Sequence, residues 1–168
     1  MAKKFRTGLS ASGFRRLANE IKEYRQDLDI RCEMFVAKLA MRGVEIAKIE
    51  IVSFDAIYTG ELIDSISFEQ GDVVSNGATY LIYTNCGWAA FNEFGVGILG
   101  SERPHPEAAE LGWKYDINNH GEKGWFYFKA GQWHWTKGFP SRPFMHNTGQ
   151  RLRKDIAEIA KGVFGNGE

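Results

Sequence analysis

Two carboxylates are the first candidates for acid–base chemistry in this chain. Asp64 and Glu93 could work as a catalytic pair only if one pocket held both and separated their pKa values. Nothing in the sequence places them together. Glu93 precedes Phe94, so we expect it to be partly buried, and a buried carboxylate needs a partner such as Arg142. The residues therefore predict a structural ion pair and no catalytic residue.

The histidines and cysteines could bind a metal, but their spacing does not favour it. The candidates are His105, His120, His134, His146, Cys32 and Cys86. No two of them lie close enough in sequence to place two ligands on one turn or strand. We expect solvated or interfacial histidines, free thiols in a reducing compartment, no metal and no cofactor. The sequence also contains no phosphate-binding loop and no nucleophile elbow, so it does not predict an enzyme.

Composition excludes several other classes. The chain has 168 residues, which suits one domain, with 21 Lys+Arg and 21 Asp+Glu and a net charge of +0. Proteins that bind nucleic acid without specificity usually carry a basic excess. No apolar run approaches the roughly 18 residues of a membrane span. The basic stretch 1–13 is followed by no apolar run, so it is not expected to be a signal peptide.

The spacing of apolar residues predicts the helices. Intervals of three and four predict a helix over 14–28, capped by Ser10 or Ser12, and a second over 31–53 that could break at Gly43. A short helix is expected from Trp88 to Phe94, closed by Gly95 as a left-handed cap. The last helix is expected over about 147–163, with an apolar stripe and basic flanks.

The strands are predicted from turn signals and alternation. We expect strands over 63–70 and 79–84, with turns at 71–72 and 76–77. In the second strand, Tyr80 and Ile82 should share one face while Leu81 and Tyr83 share the other. Residues 96–123 look irregular, and a loop that long is usually functional or disordered. Proline at 140 and 143 should keep 139–144 extended.

An aromatic hairpin is expected over 125–135. A three-residue turn over 129–131 would place Trp125, Tyr127, Trp133 and Trp135 on one face. A two-residue turn at Ala130 and Gly131 would regroup them and stays open as the alternative. One face should pack inward and the other meet a partner, because Trp and Tyr often anchor interfaces. Stacking on nucleic-acid bases is a rival interpretation, although few lysines flank the hairpin.

Three motifs follow one another along the chain. The first is Thr59-Gly60-Glu61-Leu62-Ile63-Asp64-Ser65-Ile66, the second is Ala89-Ala90-Phe91-Asn92-Glu93-Phe94-Gly95-Val96-Gly97, and the third is Ser141-Arg142-Pro143-Phe144-Met145. Their order and spacing over about 32–164 resemble the tail-completion, or head–tail joining, proteins of long-tailed bacteriophages. The chain departs from that pattern at Val96, where a Thr is frequent, and in a longer insertion before the third motif.

The resemblance implies a structural virion protein. Such proteins form a ring, usually of six copies, that ends the tail tube and docks onto the neck connector proteins, while DNA passes through without specific binding. It implies fold-defining and subunit-contact roles for the motif residues that match. These are Thr59, Gly60, Leu62, Ser65, Glu93, Phe94, Gly95, Pro143, Phe144 and Met145, with Arg142 as the expected partner of Glu93. The location implied is the virion, and the host cytoplasm during assembly.

The expected fold is α+β. A long N-terminal helical region and a C-terminal helix should cover a mostly antiparallel sheet of four to six strands. The chain is expected to be a single domain over 1–168, with a flexible tail at 1–12 and a frayed tail at 165–168. The loop and hairpin at 96–138 should project from that domain as an insertion. A nucleic-acid-binding module that uses the hairpin remains the alternative function.

Overall fold

The computed structural model describes residues 4–57, 59–72, 77–115 and 124–165, and it has the α+β architecture predicted. The helices are α1 Ala11–Ser53, α2 Glu61–Ser65, α3 Ala89–Phe94, α4 Gly97–Glu102 and α5 Phe144–Phe164. The strands are β1 Ser67–Gln70, β2 Tyr80–Tyr83, β3 Trp125–Lys129, β4 Gln132–Thr136 and β5 Gly138–Phe139. Within these ranges, no helix combines the length and apolar character needed to cross a bilayer.

The two helical stretches predicted in the first third of the chain are one helix. Helix α1 runs 43 residues without interruption, and the hydroxyl of Ser10 caps it by accepting the N–H of Gly13 at 3.0 Å. Gly43 does not break the helix. A Cβ atom at this position would overlap Cδ1 of Ile82 in β2. Gly43 therefore allows the antiparallel pair of β1 and β2, here called the first hairpin, to approach α1 closely.

Helices α1 and α5 form the main packing interface, and they run antiparallel. Contacts join Phe35 to Phe164 with ring centroids 5.6 Å apart, Arg42 to Asp155 at 2.9 Å, and Glu50 to Arg151 at 2.6 Å. The hydrogen bonds that the guanidinium of Arg42 donates to Asp155 and to Glu45 raise the pKa of Arg42 above its ordinary value. Helix α5 begins at Phe144, three residues before the predicted start.

The expectation of one sheet with four to six strands is wrong. Four of the five described strands form two separate two-stranded antiparallel sheets, β1–β2 and β3–β4, while β5 forms isolated antiparallel bridges with Val96 and Gly97. Strand β1 pairs Ser67 with Tyr83 and lies against α1 together with β2. In β2, Leu81 and Tyr83 are more exposed than Tyr80 and Ile82, so the predicted alternation of faces is confirmed.

The prediction of a strand over 63–70 is correct only from Ser67 onward. Residues 61–65 form α2, which is preceded by Gly60 in a left-handed conformation with φ +85°. This turn lets Leu62 enter the core, where it is buried, and burial overrides the local strand preference of the Ile-rich segment. The predicted turn at 76–77 falls partly on residue 76, outside the described residues.

The segment predicted to be irregular, 96–123, carries structure over the part described. Helix α4 occupies Gly97–Glu102, and turns follow over 106–112. Tyr115 ties the segment down, because its carbonyl accepts the N–H of Gly97 at 2.7 Å and its hydroxyl accepts the N–H of His105 at 3.0 Å. Residues 116–123 lie outside the described ranges.

The aromatic hairpin uses the two-residue turn, so the three-residue register is wrong. Ala130 and Gly131 both have positive φ, +50° and +80°, which is the geometry of the tight turns that suit the twist of paired strands. Phe126 therefore pairs with Trp135, and Phe128 pairs with Trp133. The grouping of Trp125 and Tyr127 with Trp133 and Trp135 on one face does not occur.

We expect Gly43→Ala to lack the usual gain of helix stability. Replacing glycine inside a helix by alanine normally stabilises by about 0.5–1 kcal/mol, but here the new methyl group meets Ile82. Ile82→Val removes that terminal carbon, so Gly43→Ala should be more favourable in the Ile82→Val background. Urea denaturation of the four chains of this cycle measures the coupling.

Gly149→Ala is the matched control, because a Cβ at Gly149 in α5 meets no atom within 4 Å. It should raise the free energy of unfolding by about 0.5–1 kcal/mol. Equal gains from Gly43→Ala and Gly149→Ala would contradict the close approach of β2 to α1.

Candidate functional site

The three sequence motifs meet in one apolar cluster. Leu62 of the first motif, Ala89 of the second and Phe144 of the third are all buried there, and Leu62 and Phe144 are each only 1% exposed. The other members are Ala47, Ile51, Ala56, Ile66 and Cys86. Three segments that are far apart in sequence thus form one packing unit against the C-terminal half of α1.

The first motif builds the turn that delivers Leu62. Thr59 is exposed, and its hydroxyl accepts a hydrogen bond from the backbone N–H of Glu61 at 3.4 Å. The hydroxyl of Ser65 donates to the carbonyl of Leu62 at 2.8 Å and is 2.6 Å from the hydroxyl of Thr84. Ser65 therefore closes α2 and links it to the end of β2.

Glu93 of the second motif caps the helix that starts in the third motif. Its carboxylate accepts the N–H of Met145 at 2.8 Å and the N–H of His146 at 2.9 Å. These are the second and third residues of α5, whose N–H groups have no partner within the helix. A negative charge there also interacts favourably with the helix dipole. This contact explains why α5 begins at Phe144, immediately after Pro143.

The predicted ion pair between Glu93 and Arg142 is wrong. The guanidinium of Arg142 donates to the side chain of Asn92 at 3.2 Å and lies 5.5 Å from the ring centre of Phe139. The backbone N–H of Arg142 also donates to the carbonyl of Asn92 at 2.9 Å. Glu93 is hydrogen-bonded by backbone N–H groups, and Arg142 is hydrogen-bonded to Asn92, which precedes Glu93. Both side chains therefore still join the second motif to the third.

Gly95 allows the two motifs to approach closely. Its φ of +79° is positive as predicted, but its ψ of 169° is extended, so it is not a left-handed cap. A Cβ here would lie 2.6 Å from the backbone nitrogen of Ser141. The hydroxyl of Ser141 donates to the carbonyl of Glu93 at 2.6 Å. Only glycine fits between these two backbones without displacing one of them.

His105 is buried, so the prediction of a solvated or interfacial histidine is wrong for this residue. It is 3% exposed, and its Nε2 lies 3.1 Å from the carboxylate of Glu93. The N–H of Glu107 donates to its Nδ1 at 3.0 Å. Nδ1 is therefore the acceptor and Nε2 carries the proton in the neutral ring. Both nitrogens are engaged inside the protein, which leaves no lone pair for a metal or a substrate proton.

Phe94 anchors the segment that follows α3. Its ring stacks on Trp113 with centroids 4.7 Å apart, and the indole N–H of Trp113 donates to the carbonyl of Gly95 at 3.2 Å. Trp113 and His105 were not predicted as site residues. Their partners lie about ten to twenty residues away in a segment without periodicity, and no local pattern signals such contacts.

The remaining titratable groups near this unit do not assemble a metal site. The Nδ1 of His146 lies 3.3 Å from the carboxylate of Glu107. Among the described residues, no group of three or more His, Cys, Asp or Glu side chains is placed to hold a metal. His120 is not part of the described chain, and the thiols of Cys32 and Cys86 are free.

A groove of about 470 Å³ lies beside the unit. Its walls include Leu111, Phe144 and Met145, together with Glu93 and His105. The polar atoms of those last two residues are already bonded to each other and to backbone N–H groups. The groove therefore offers mainly apolar contact, and the polar atoms of Glu93 and His105 are occupied by structural hydrogen bonds.

One side of the hairpin, here called the aromatic face, is exposed. It consists of Phe126, Phe128, Trp133 and Trp135, which are 61%, 60%, 69% and 49% exposed. Trp125 and Tyr127 lie on the other side, where Trp125 packs against Gly97 and Tyr127 stacks on His134. The residues predicted as one interface are thus divided, and Phe126 and Phe128 take the places of Trp125 and Tyr127 beside the two remaining Trp residues.

A second exposed apolar surface lies on α1. The N-terminal stripe consists of Phe14, Leu17, Ile21, Tyr24 and Leu28. Leu17 is partly buried, and the ring of Phe5 packs against Tyr24 with centroids 5.6 Å apart. Phe14, Ile21 and Leu28 remain exposed. These residues lie before the segment of α1 that contacts α5.

The comparisons with other proteins yield no relative: no protein-family model, no curated protein and no solved structure matches this chain.

We expect Glu93→Gln to lower the free energy of unfolding by about 1.5–3 kcal/mol, the usual range for hydrogen bonds to a charged group. The glutamine amide keeps one acceptor oxygen, and its NH2 group is a donor. This NH2 group must face an N–H donor of Met145, His146 or His105, so a hydrogen bond is lost there. Chemical denaturation followed by circular dichroism measures the loss.

Glu102→Gln is the matched control, because Glu102 is exposed at the end of α4 and should change stability by less than about 0.5 kcal/mol. Similar stabilities for wild type and Glu93→Gln would show that the cap contributes little.

Proposed function

We propose that this protein is a structural component of a tailed-phage virion that completes the tail and joins it to the head–neck as a homo-oligomeric ring. The observation that carries the proposal is the meeting of the three motifs in one unit around Phe144 and Glu93. Motifs that resemble those of tail-completion proteins thus act together, as expected for residues with a fold-defining role.

The chemistry of the unit supports a packing role. Glu93 caps a helix, His105 is bonded at both nitrogens, and Arg142 binds a neighbouring amide. Buried polar groups with all partners supplied by the chain act as structural connections. Glu93, one of the two carboxylates first considered for acid–base chemistry, is therefore used to hold segments together.

The exposed surfaces support assembly. A monomer seldom exposes contiguous apolar patches of several hundred Å² unless they contact something. The aromatic face and the N-terminal stripe are two such surfaces on one chain. In this proposal they serve contacts between copies and with the tail-tube and head–neck connector proteins. The net charge of +0 suits a ring through which DNA passes without specific binding.

The proposal predicts a defined phenotype on deletion of the gene from its parent phage or prophage. Electron microscopy of the lysate should show DNA-filled heads beside separate tails, because the two parts would lack the protein that joins them. A wild-type copy supplied in trans is the control and should restore complete particles. Intact, infectious virions from the deletion strain would overturn a joining role.

Binding of single-stranded nucleic acid is the second candidate, and the exposed rings of the aromatic face favour it. Aromatic rings stack on bases at about 1–3 kcal/mol per base, and such binding weakens with salt. If this were the function, a fluorescent oligonucleotide would bind at low salt, and Trp133→Ala would weaken that binding while Tyr127→Ala on the other side would not. No binding at low salt would remove this candidate.

A further inference from the structure

The aromatic face, on a β-hairpin, and the N-terminal stripe, on a helix, are two exposed apolar surfaces of this chain. We propose that the aromatic face of one copy packs against the N-terminal stripe of α1 in the neighbouring copy. This contact deepens the ring of the proposed function, on which its biological role rests. It assigns the partner of both surfaces as a second copy of this chain.

The N-terminal stripe continues an interface that already exists within the chain. Positions 14, 21, 28, 35 and 42 recur every seven residues, so they share one face of α1. Phe35 and Arg42 contact α5, which ends at Phe164 beside Phe35. Phe14, Ile21 and Leu28 lie on the same face beyond the end of α5 and are exposed. The face is therefore built for packing, and among the described residues its contact with α5 involves the second half, while Phe14, Ile21 and Leu28 stay exposed.

A helix from another copy is a poor occupant of the stripe. The apolar repeat from Phe14 to Leu28 spans two heptads, whereas coiled coils are recognised over about three to four heptads. The next position of the same repeat is Arg31, which bonds Asp27 at 2.8 Å and does not extend the apolar surface. A partner that buries the stripe must therefore be compact and rich in large apolar side chains.

The aromatic hairpin has that composition and a matching length. Strands β3 and β4 are five residues each, or about 17 Å at the usual rise per residue. The stripe from Phe14 to Leu28 covers about 21 Å along the helix axis. The rings of Phe126 and Trp135 are 4.7 Å apart, and those of Phe128 and Trp133 are 5.4 Å apart. Two such ring pairs form a broad surface on one side of the hairpin.

The areas reach the size of a specific interface. Aromatic side chains bury about 150–250 Å² each, so four that are half to two-thirds exposed present on the order of 500 Å². Covering a similar area of helix gives about 1,000 Å² in total, which is near the lower limit for a biological contact. A contact between unlike surfaces is also the type that closes into a ring, whereas two like surfaces produce only a dimer.

Two variants with complementary defects test the contact. The helix variant Ile21→Ser/Leu28→Ser loses the stripe, and the hairpin variant Phe128→Ser/Trp133→Ser loses the aromatic face. All four residues are exposed in the monomer, so both chains should fold. The controls are Ile30→Ser/Met34→Ser, exposed on α1 outside the stripe, and Tyr127→Ser on the other side of the hairpin.

Sedimentation velocity reads out the assembly state, and one chain has a mass of 19.0 kDa. Wild type and both controls should form oligomers larger than a dimer, while each complementary variant alone sediments as one chain. An equimolar mixture of the two variants should form a heterodimer, because it contains one intact stripe and one intact aromatic face. The mixture cannot close a ring.

Other outcomes overturn the contact in distinct ways. Oligomers of the helix variant alone would indicate pairing between hairpins, and oligomers of the hairpin variant alone would indicate pairing between helices. Monomeric wild type at the highest attainable concentration would also overturn it. None of these results decides whether the protein joins head to tail, since the deletion phenotype tests that role separately.

Discussion

The contact on which the rest of the molecule depends is the cap that Glu93 forms on α5. A buried carboxylate supplied by α3 satisfies two backbone N–H groups at the start of the C-terminal helix. Because the cap sets where α5 begins, it places Phe144 in the core and Asn147 and Arg151 opposite Glu50 of α1. The same carboxylate also holds His105, so the segment after α4 depends on it as well.

This arrangement divides the chain into an interlocked body and two exposed surfaces. The body contains the C-terminal half of α1, α5, the first hairpin and the three motifs. The first half of α1 and the aromatic hairpin carry large apolar side chains that the body does not cover. In the proposed ring, these exposed apolar extensions would contact neighbouring copies. The proposed hairpin-to-helix contact would bury both extensions at once.

Much of the α+β architecture could be predicted from local patterns. Periodicity located α1 and α5, alternation located β2, and glycine positions located the chain reversals at Gly95 and Gly131. The site was predictable as a set of motifs but not as a set of contacts. Arg142 was expected to pair with Glu93 because opposite side-chain charges are evident in a sequence. The position of the unpaired N–H groups at the start of a helix is not evident there, since it depends on the tertiary structure. The strand count failed for a similar reason, since pairing between strands is decided by what else covers their faces.

The sequence by itself determined the properties that depend on neighbours within about one turn or one hairpin: the helical periods, the tight turns and the order of the motifs. Only the tertiary structure decided the partners of Glu93, His105 and Arg142, the register of the aromatic hairpin and which of its faces is exposed. The register illustrates the physical reason. A three-residue turn over 129–131 and a two-residue turn at Ala130 and Gly131 both fit the local sequence. Changing from one to the other alters which rings share a face. Local preference left both open, and the observed choice places four large rings together on the exposed side.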